Sequence, residues 1–514
     1  LMQDGFLPPI LLNDTYYLDR EDAEVKKLLN KIDKNRALNQ SNSQYLKDLD
    51  DVLDLVEPLF QSEDTMYDFI EWALSHANHI AEAAQFKIEI GKFRLPKYER
   101  VDDQLLFADN ESFFKHLIQK GLTTLIPKAS EHDKYQMRIE EELEVIKEGG
   151  FIDYFLILWD IMEFCKRENI LTGIGRGSAG GSVIAYLLGI IKMNPLDYDL
   201  IFSRFLNKGR IKVSMPDIDS DFESTRRDEV KRYMEQRYGV EQVCSIGTYG
   251  TLKLRAALQE LGRLEGIDAS TRRYMSKILD GSSEHWVSLF QTAMQTPELK
   301  NFIQKHATMI NQIPLLLNQP KNASVHAAGV IVVPKEDEEG NPMTVFDWLP
   351  IKKMDGILIS EWEGPQCEIA GFLKEDILGL AQLDKFKQIF DLIESNTGKR
   401  LSLSDADIPL NDKNVYQLFH EGYNSDLFHF GSPGLKGYSQ DVKPVNIEDL
   451  IAMMALYRPG VMEGGYHNTF VKIRKGKEEP SYDFMLEEVS KDTYGIYIYQ
   501  EQVMKACQVI GDFT

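Results

Sequence analysis

Residues 214–223 read SMPDIDSDFE and set Asp217, Asp219 and Asp221 at alternate positions. In a β-strand alternate side chains share a face, so three carboxylates at this spacing project together, about 6–7 Å apart. Like charges crowded in this way need something positive between them. A divalent cation such as Mg2+ suits the position, because it takes a few carboxylates together with phosphate oxygens. An acidic turn or a solvated edge strand is the plain alternative. Against it, Ile218 and Phe222 alternate with the acids, which predicts a strand with one buried face. Pro216 can open such a strand but does not suit its middle.

Upstream lies TGIGRGSAGGSVIAYLLGI, residues 172–190, a glycine-rich loop running into an apolar stretch. Successive backbone N–H groups leading into a helix N-terminus favour an anion through geometry and dipole together. Arg176 adds a charged fork and Ser178 a hydroxyl. The loop is not a Walker A motif, since no GK[ST] follows, and Ser178 stands where a dinucleotide fingerprint needs its third glycine. The apolar run is expected to form a helix whose N-terminus faces the bound phosphates. A simple tight turn remains the alternative for the loop taken alone.

A third carboxylate comes from GFLKEDILGL, where Asp376 follows Lys374 inside an apolar run. A charge there is costly unless it is paired or metal-bound. An exposed position at a strand end is the competing reading, and the neighbouring Glu375 favours it. Carboxylates on two strands beside a glycine loop suggest two-metal phosphoryl or nucleotidyl transfer.

The elements that must position these residues come from the rest of the 514-residue chain, long enough for two to four domains. Residues 13–32 predict a strand end, a turn and an amphipathic helix with Ala23, Val25, Leu28, Leu29 and Ile32 on one face. The proline-bearing stretch 93–104 is a plausible boundary. Residues 110–170 carry helical periodicity, with Gly149 and Gly150 as a helix stop. Residues 251–320 are again helical, between strand-bearing stretches at 326–334 and 368–380, so they read as an insertion within one domain. From 382 onward the pattern is mostly helical. The four cysteines are dispersed with no CxxC pair, which argues against structural zinc or a disulfide framework and suits a reducing cytoplasm. The formal net charge of −23 argues against indiscriminate DNA coating, because that affinity rests on phosphate neutralisation. A local basic channel is still compatible with nucleic acid. No apolar leader or membrane-length apolar stretch is evident.

The ordered motifs YFLI, GIGRGSAGGS, RFLN, SMPDIDSDF, GTYGTLKLRAALQELGRL, HAAGVIV, LKEDILGL, ALYRPG and YGIYIYQEQVM resemble the bacterial DNA polymerase III alpha subunit, the C family of replicative DNA polymerases. The resemblance runs from about residue 138 to residue 504. It implies an α/β (α+β) multidomain chain with a polymerase beta-like nucleotidyltransferase palm. The parts would be a PHP-domain remnant and linker at 1–90, palm at 91–248, thumb at 249–325, palm again at 326–381, and incomplete fingers at 382–514. It implies that Asp217, Asp219 and Asp376 are catalytic metal ligands, with Asp221 an additional candidate. Two Mg2+ ions are expected, with Mn2+ as a substitute. Gly177 and Ser178 match the pair that holds the nucleotide phosphates, supported by Arg176, with Arg204 and Arg210 facing the same phosphates or paired at the surface. Lys374, Arg458, Tyr499 and Gln500 would approach the primer end or the nucleotide. Lys253 and Arg255 would touch the DNA backbone, and His326 would serve packing or contact. The implied partners are primed DNA template and deoxynucleoside triphosphates, with a sliding clamp and other replisome subunits bound through regions beyond this chain. No membrane is involved.

Several positions depart from the family. Tyr16 stands where metal-binding PHP modules have His, while Asp14 remains, which puts a nuclease activity of that module in doubt. Glu375 replaces a usually apolar residue, and Gln259 replaces a basic one. Such departures resemble a divergent or phage-encoded member. A chain opening on Leu1 and closing on VIGDFT reads as an internal piece of a longer polymerase. Template-directed DNA synthesis is the expected activity. A non-templated nucleotidyltransferase and a catalytically silent DNA-binding or assembly subunit are the alternatives.

Overall fold

A helix with an unbroken apolar turn must be packed on several sides, and Ile152–Arg167 is such a helix, with nine of its residues buried, among them the consecutive run Tyr154 to Leu158. In the computed structural model, which describes residues 9–33, 42–85, 87, 89–279, 286–403 and 408–511, it lies at the centre of the largest core. The helix Asn110–Leu125 and the helix His132–Glu148 contribute to that core. The stop at Gly149 and Gly150 takes the form its sequence suggests. Gly150 adopts φ +72°, its N–H donates to the Lys147 carbonyl, and the Phe151 N–H donates to the Ile146 carbonyl.

Six strands form one mixed sheet: β1 (Asp219–Glu223), β2 (Val243–Thr251), β3 (Pro320–Val332), β4 (Ile351–Met354), β5 (Ile357–Ser360) and β6 (Lys374–Leu380). Their spatial order is β1-β6-β3-β2-β5-β4. β1 and β6 are parallel, β3 and β6 antiparallel, β2 and β5 parallel, and β4 and β5 antiparallel. Parallel neighbours need long crossovers, and here the chain between β1 and β6 holds the four other sheet strands plus a helical insertion.

By internal contacts the chain divides into two units. One comprises residues 1–90, 246–326 and 361–364. Its core joins Leu254–Leu264 and the helices that follow to the helix Ala23–Ile32, whose Ile32 is buried and whose Val25, Leu28 and Leu29 pack on the same cluster. The other comprises residues 91–245, 327–360 and 365–514, and within it lie β1, β6 and a helical region from Ala381–Thr397 onward with a core of its own.

Two expected elements differ. The strand at 368–380 is shorter, because a helix occupies Gly364–Ile369 and Gly371, at φ +90°, turns the chain before β6 begins. A Cβ at Gly371 would lie 1.7 Å from the Lys92 carbonyl oxygen, so that turn also permits a close backbone approach. The apolar run after the glycine loop gives a helix of only five residues, Val183–Leu187, which is buried rather than surface-lying. All four cysteines are free thiols, three of them buried.

Candidate active site

β1 sets the first part of the site. Asp219 and Asp221 share its half-buried face, while Ser220 and Phe222 are buried on the other. Asp217 does not belong to this strand: it precedes β1 and is exposed, so the expected row of three acids along one strand is corrected to two. The approach to β1 is fixed from the core, where the buried Tyr154 hydroxyl accepts the Ile218 N–H at 3.1 Å. This bond holds the residue between Asp217 and Asp219.

β6 supplies the third acid. Parallel pairing sets Asp376 opposite Asp219, and oxygen atoms of Asp217, Asp219 and Asp376 all lie within 4.8 Å of one another. Asp221 lies outside that group and pairs instead with Arg176 at 3.4 Å. Lys374 Nζ lies 3.0 Å from Asp376 Oδ2, whereas Asp376 Oδ1 is buried without a hydrogen-bond partner. A buried carboxylate oxygen left unpaired is costly, and a cation is the ligand it fits. Burial raises the Asp219 carboxyl above its ordinary range and the neighbouring Asp376 carboxyl adds to this, against the opposing charge of Arg176. Burial alone would lower the Lys374 ammonium, but its hydrogen bond and charge pairing with Asp376 leave it raised. The exposed strand-end reading of this segment fails: Asp376 is half-buried and Glu375 is only 2% exposed, facing the core on the opposite side of the strand.

The glycine loop reaches the aspartates by pairing with the free edge of β1. Gly173 N–H donates to the Asp221 carbonyl at 2.8 Å, and Glu223 N–H to the Leu171 carbonyl at 3.2 Å. Lys192 Nζ donates to the Thr172 carbonyl at 2.7 Å from behind. This close approach needs glycine, since a Cβ at Gly173 would lie 2.9 Å from Asp221 Cβ. Gly177 adopts φ +69°, and a Cβ there would meet Asp219 Oδ2 at 3.1 Å. Beyond it, Gly175, Arg176, Gly177, Ser178, Gly181, Arg204 and Glu501 line a recess.

The following helix does not offer its N-terminus to that recess. The Val183 and Ile184 N–H groups donate to the buried Glu142 carboxylate at 2.8 and 3.0 Å, and Ser182 Oγ donates to it at 2.7 Å. Arg138 Nε pairs with the same carboxylate at 3.0 Å. The expectation of a phosphate-facing helix end is therefore corrected, because an internal anion already holds that position. Glu142 was hidden in sequence within the acidic run EEELE, where only packing distinguishes it from its neighbours.

Among the remaining candidates, Arg204 lines the recess and pairs with Gln500 Oε1 at 2.8 Å and with Glu501. Glu501 was not among the expected residues, although it adjoins Gln500 in the quoted motif. Arg210 turns back on its own loop, donating to the Arg204 and Phe205 carbonyls at 3.2 and 3.3 Å. Burial pushes the Tyr499 phenol up to about 12. Arg458 is exposed just before the helix Pro459–Glu463. In the other unit, Lys253 donates to Asn318 at 3.1 Å, Arg255 donates to the Leu279 carbonyl, and Gln259 donates to Ser276 at 2.7 Å. His326 lies half-buried in β3. Asp14 accepts from Gln44 at 2.7 Å, and Tyr16 is exposed with Lys26 over its ring.

Two strands and the segment leading into one of them gather three carboxylates beside an amide-rich, arginine-bearing recess, an arrangement suited to holding divalent cations against phosphate groups. The comparisons with known proteins agree in family. The bacterial DNA polymerase III alpha NTPase domain matches residues 112–379, slightly more than half of the chain, and the bacterial DNA polymerase III alpha subunit finger domain matches residues 382–514. The chain belongs to the bacterial DNA polymerase III alpha subunit family. It is 33% identical over its full length to DNA polymerase III subunit alpha of Bacillus subtilis (strain 168), covering 44% of that protein. It is 32% identical to DNA polymerase III subunit alpha of Aquifex aeolicus (strain VF5) and 31% to that of Staphylococcus aureus (strain COL), over 98% of this chain and 45% of each relative. The chain thus spans less than half the length of these relatives. Among the described residues no helix is long and apolar enough to cross a membrane.

Proposed function

We propose that this chain is the catalytic part of a template-directed DNA polymerase, joining deoxynucleoside triphosphates to a primer 3′-hydroxyl with release of pyrophosphate. The observation that carries the reading is the convergence of Asp217, Asp219 and Asp376 within 4.8 Å, beside a glycine-lined recess, in a member of this family. The three aspartates are the residues to hold two Mg2+ ions, and the unpartnered Asp376 Oδ1 supports that fit. When bound, such ions supply activation of the attacking hydroxyl and neutralisation of charge on the phosphates. Backbone groups at Gly177 and Ser178, with Arg176 and Arg204, hold the triphosphate against the site. Lys374 orients Asp376 and lies where the primer terminus approaches. Positioning and fixed charge account for most of the rate under this reading.

The parts fall in a corresponding order. Residues 91–248 and 326–381 act as palm, 249–325 as a thumb that grips the duplex through Lys253 and Arg255, and 382–514 as fingers that close Arg458, Tyr499 and Gln500 over the nucleotide. Residues 1–90 are the end of a PHP module. Contacts to a clamp and other replisome subunits belong to regions outside this chain.

The test is single-nucleotide incorporation by a full-length protein carrying this chain. Asp217→Asn and Asp376→Asn each reduce incorporation by about a thousandfold or more, while primed-DNA binding stays within about twofold. Near wild-type incorporation by either variant would overturn the assignment. Incorporation indifferent to the template base would mark a non-templated nucleotidyltransferase instead.

A further inference from the structure

Two cations already sit on the acidic triad. Lys374 holds Asp376, and Arg176 reaches across from the glycine loop, its Nε 3.3 Å from Asp219 Oδ2 and its Nη1 3.4 Å from Asp221 Oδ1. The two arrangements differ in kind. Lys374 is part of β6 and lies two residues from its partner along the strand. Arg176 stands on a loop between Gly175 at φ +127° and Gly177 at φ +69°, with its side chain 46% exposed. Its guanidinium does not grip one carboxylate with a bidentate fork. Instead it spans two carboxylates with one long contact to each, longer than the 2.7–2.9 Å usual for charge-assisted bonds. Only one of these partners, Asp219, belongs to the triad.

We infer that Arg176 is a positioning residue with two alternative partners: it stands in for the divalent cation while the triad is empty, and moves to the nucleotide phosphates in the adjoining recess when the cation enters. The inference rests on the metal-binding reading of the triad. Arg176 lines the recess as well as touching Asp219, so a rotation of its side chain exchanges one anion for another without moving β1. The carboxylates on β1 are kept in place by Arg176 until they are needed. A guanidinium and a divalent cation compete for the Asp219 carboxylate, so Arg176 weakens cation binding in the absence of nucleotide. A nucleotide that engages Arg176 releases that competition, and by linkage cation and nucleotide each favour the other.

The experiment is Mn2+ binding, read by the electron paramagnetic resonance of free Mn2+, in a full-length protein carrying this chain and without nucleotide. Only the binding component removed by Asp219→Asn is considered. Arg176→Ala is expected to bind this Mn2+ about twofold to fivefold more tightly than wild type, with Arg176→Lys in between. The Mn2+-induced rise in melting temperature is expected to be larger in Arg176→Ala than in wild type. A purely structural role for Arg176 would lower the melting temperature without tightening Mn2+ binding. Unchanged or weaker binding in both variants therefore overturns the inference, while an Asp219-dependent component in wild type would leave the metal reading standing. If no Mn2+ component depends on Asp219, both fail.

Discussion

Glu375 and Asp376 are consecutive carboxyls that the pleat of β6 sends to opposite faces. Asp376 reaches the other two aspartates. Glu375 enters the core, where Val330 is its paired neighbour on β3, and its Oε2 has no hydrogen-bond partner. Burial holds that carboxyl well above its ordinary range, with the charges of Asp376 and Asp217 adding to the effect. An orphaned buried polar group is a cost, so Glu375→Leu is expected to raise unfolding free energy by about 1–2 kcal/mol at neutral pH. Urea denaturation checks this, and a loss of stability would mean that Glu375 has a partner that matters. Both acids are legible in the sequence, where Glu375 kept an exposed strand end open as an alternative, since spacing tells faces apart and does not tell which face is covered. The alternation of Ile218, Asp219, Ser220, Asp221 and Phe222 was legible because the two-residue period of a strand needs no tertiary knowledge. That Asp217 stands before the strand was not legible, because the bond from Ile218 to Tyr154 that fixes this entry is long-range.

Among the elements, the glycine loop shows how far local pattern carries. Its placement beside β1 follows from Gly173 and Gly177, which permit approaches that a side chain would block. Its expected partner, a helix N-terminus, was misjudged because Glu142 fills that position from another helix. Caps supplied from within a helix's own sequence are easier to read. Asp268 precedes the helix Ala269–Ile278, and its carboxylate accepts the Thr271 N–H at 2.9 Å. Hydrogen bonds from Ser270 and Thr271 hold its carboxyl well below the ordinary range. A depressed carboxylate contributes stability that is present above its unfolded value, about 3.9, and lost as pH falls further. Asp268→Ala is accordingly expected to lower the melting temperature at pH 7. The difference from wild type should narrow steadily below about pH 4. A difference independent of pH would show that the cap does not act through its charge.

At the scale of the whole molecule, a chain of net charge −23 must bind DNA through local cations if it binds at all. Lys253 and Arg255 were paired as backbone contacts by resemblance, but their surroundings separate them. Both residues are exposed, but Lys253 reaches a side-chain amide, whereas the Arg255 guanidinium donates to the carbonyl of the buried Leu279. In primed-DNA binding by a full-length protein, Lys253→Ala is expected to reduce the slope of log affinity against log salt by about 0.9. Arg255→Ala is expected to lower thermal stability more than it changes that slope. Equal slope changes with unaltered stability would restore the simpler pairing of the two.

The parallel register of β1 with β6 has a consequence in chain entropy. Asp219 and Asp376 become neighbours only when a closure spanning all the residues between them is complete. For a flexible connection, each doubling of such a span costs only about 0.6 kcal/mol more. The stretch between these strands can therefore lengthen, or carry an entire extra helical unit, at little cost to the meeting of the two carboxylates. Growth by insertion at this point leaves the chemistry in place.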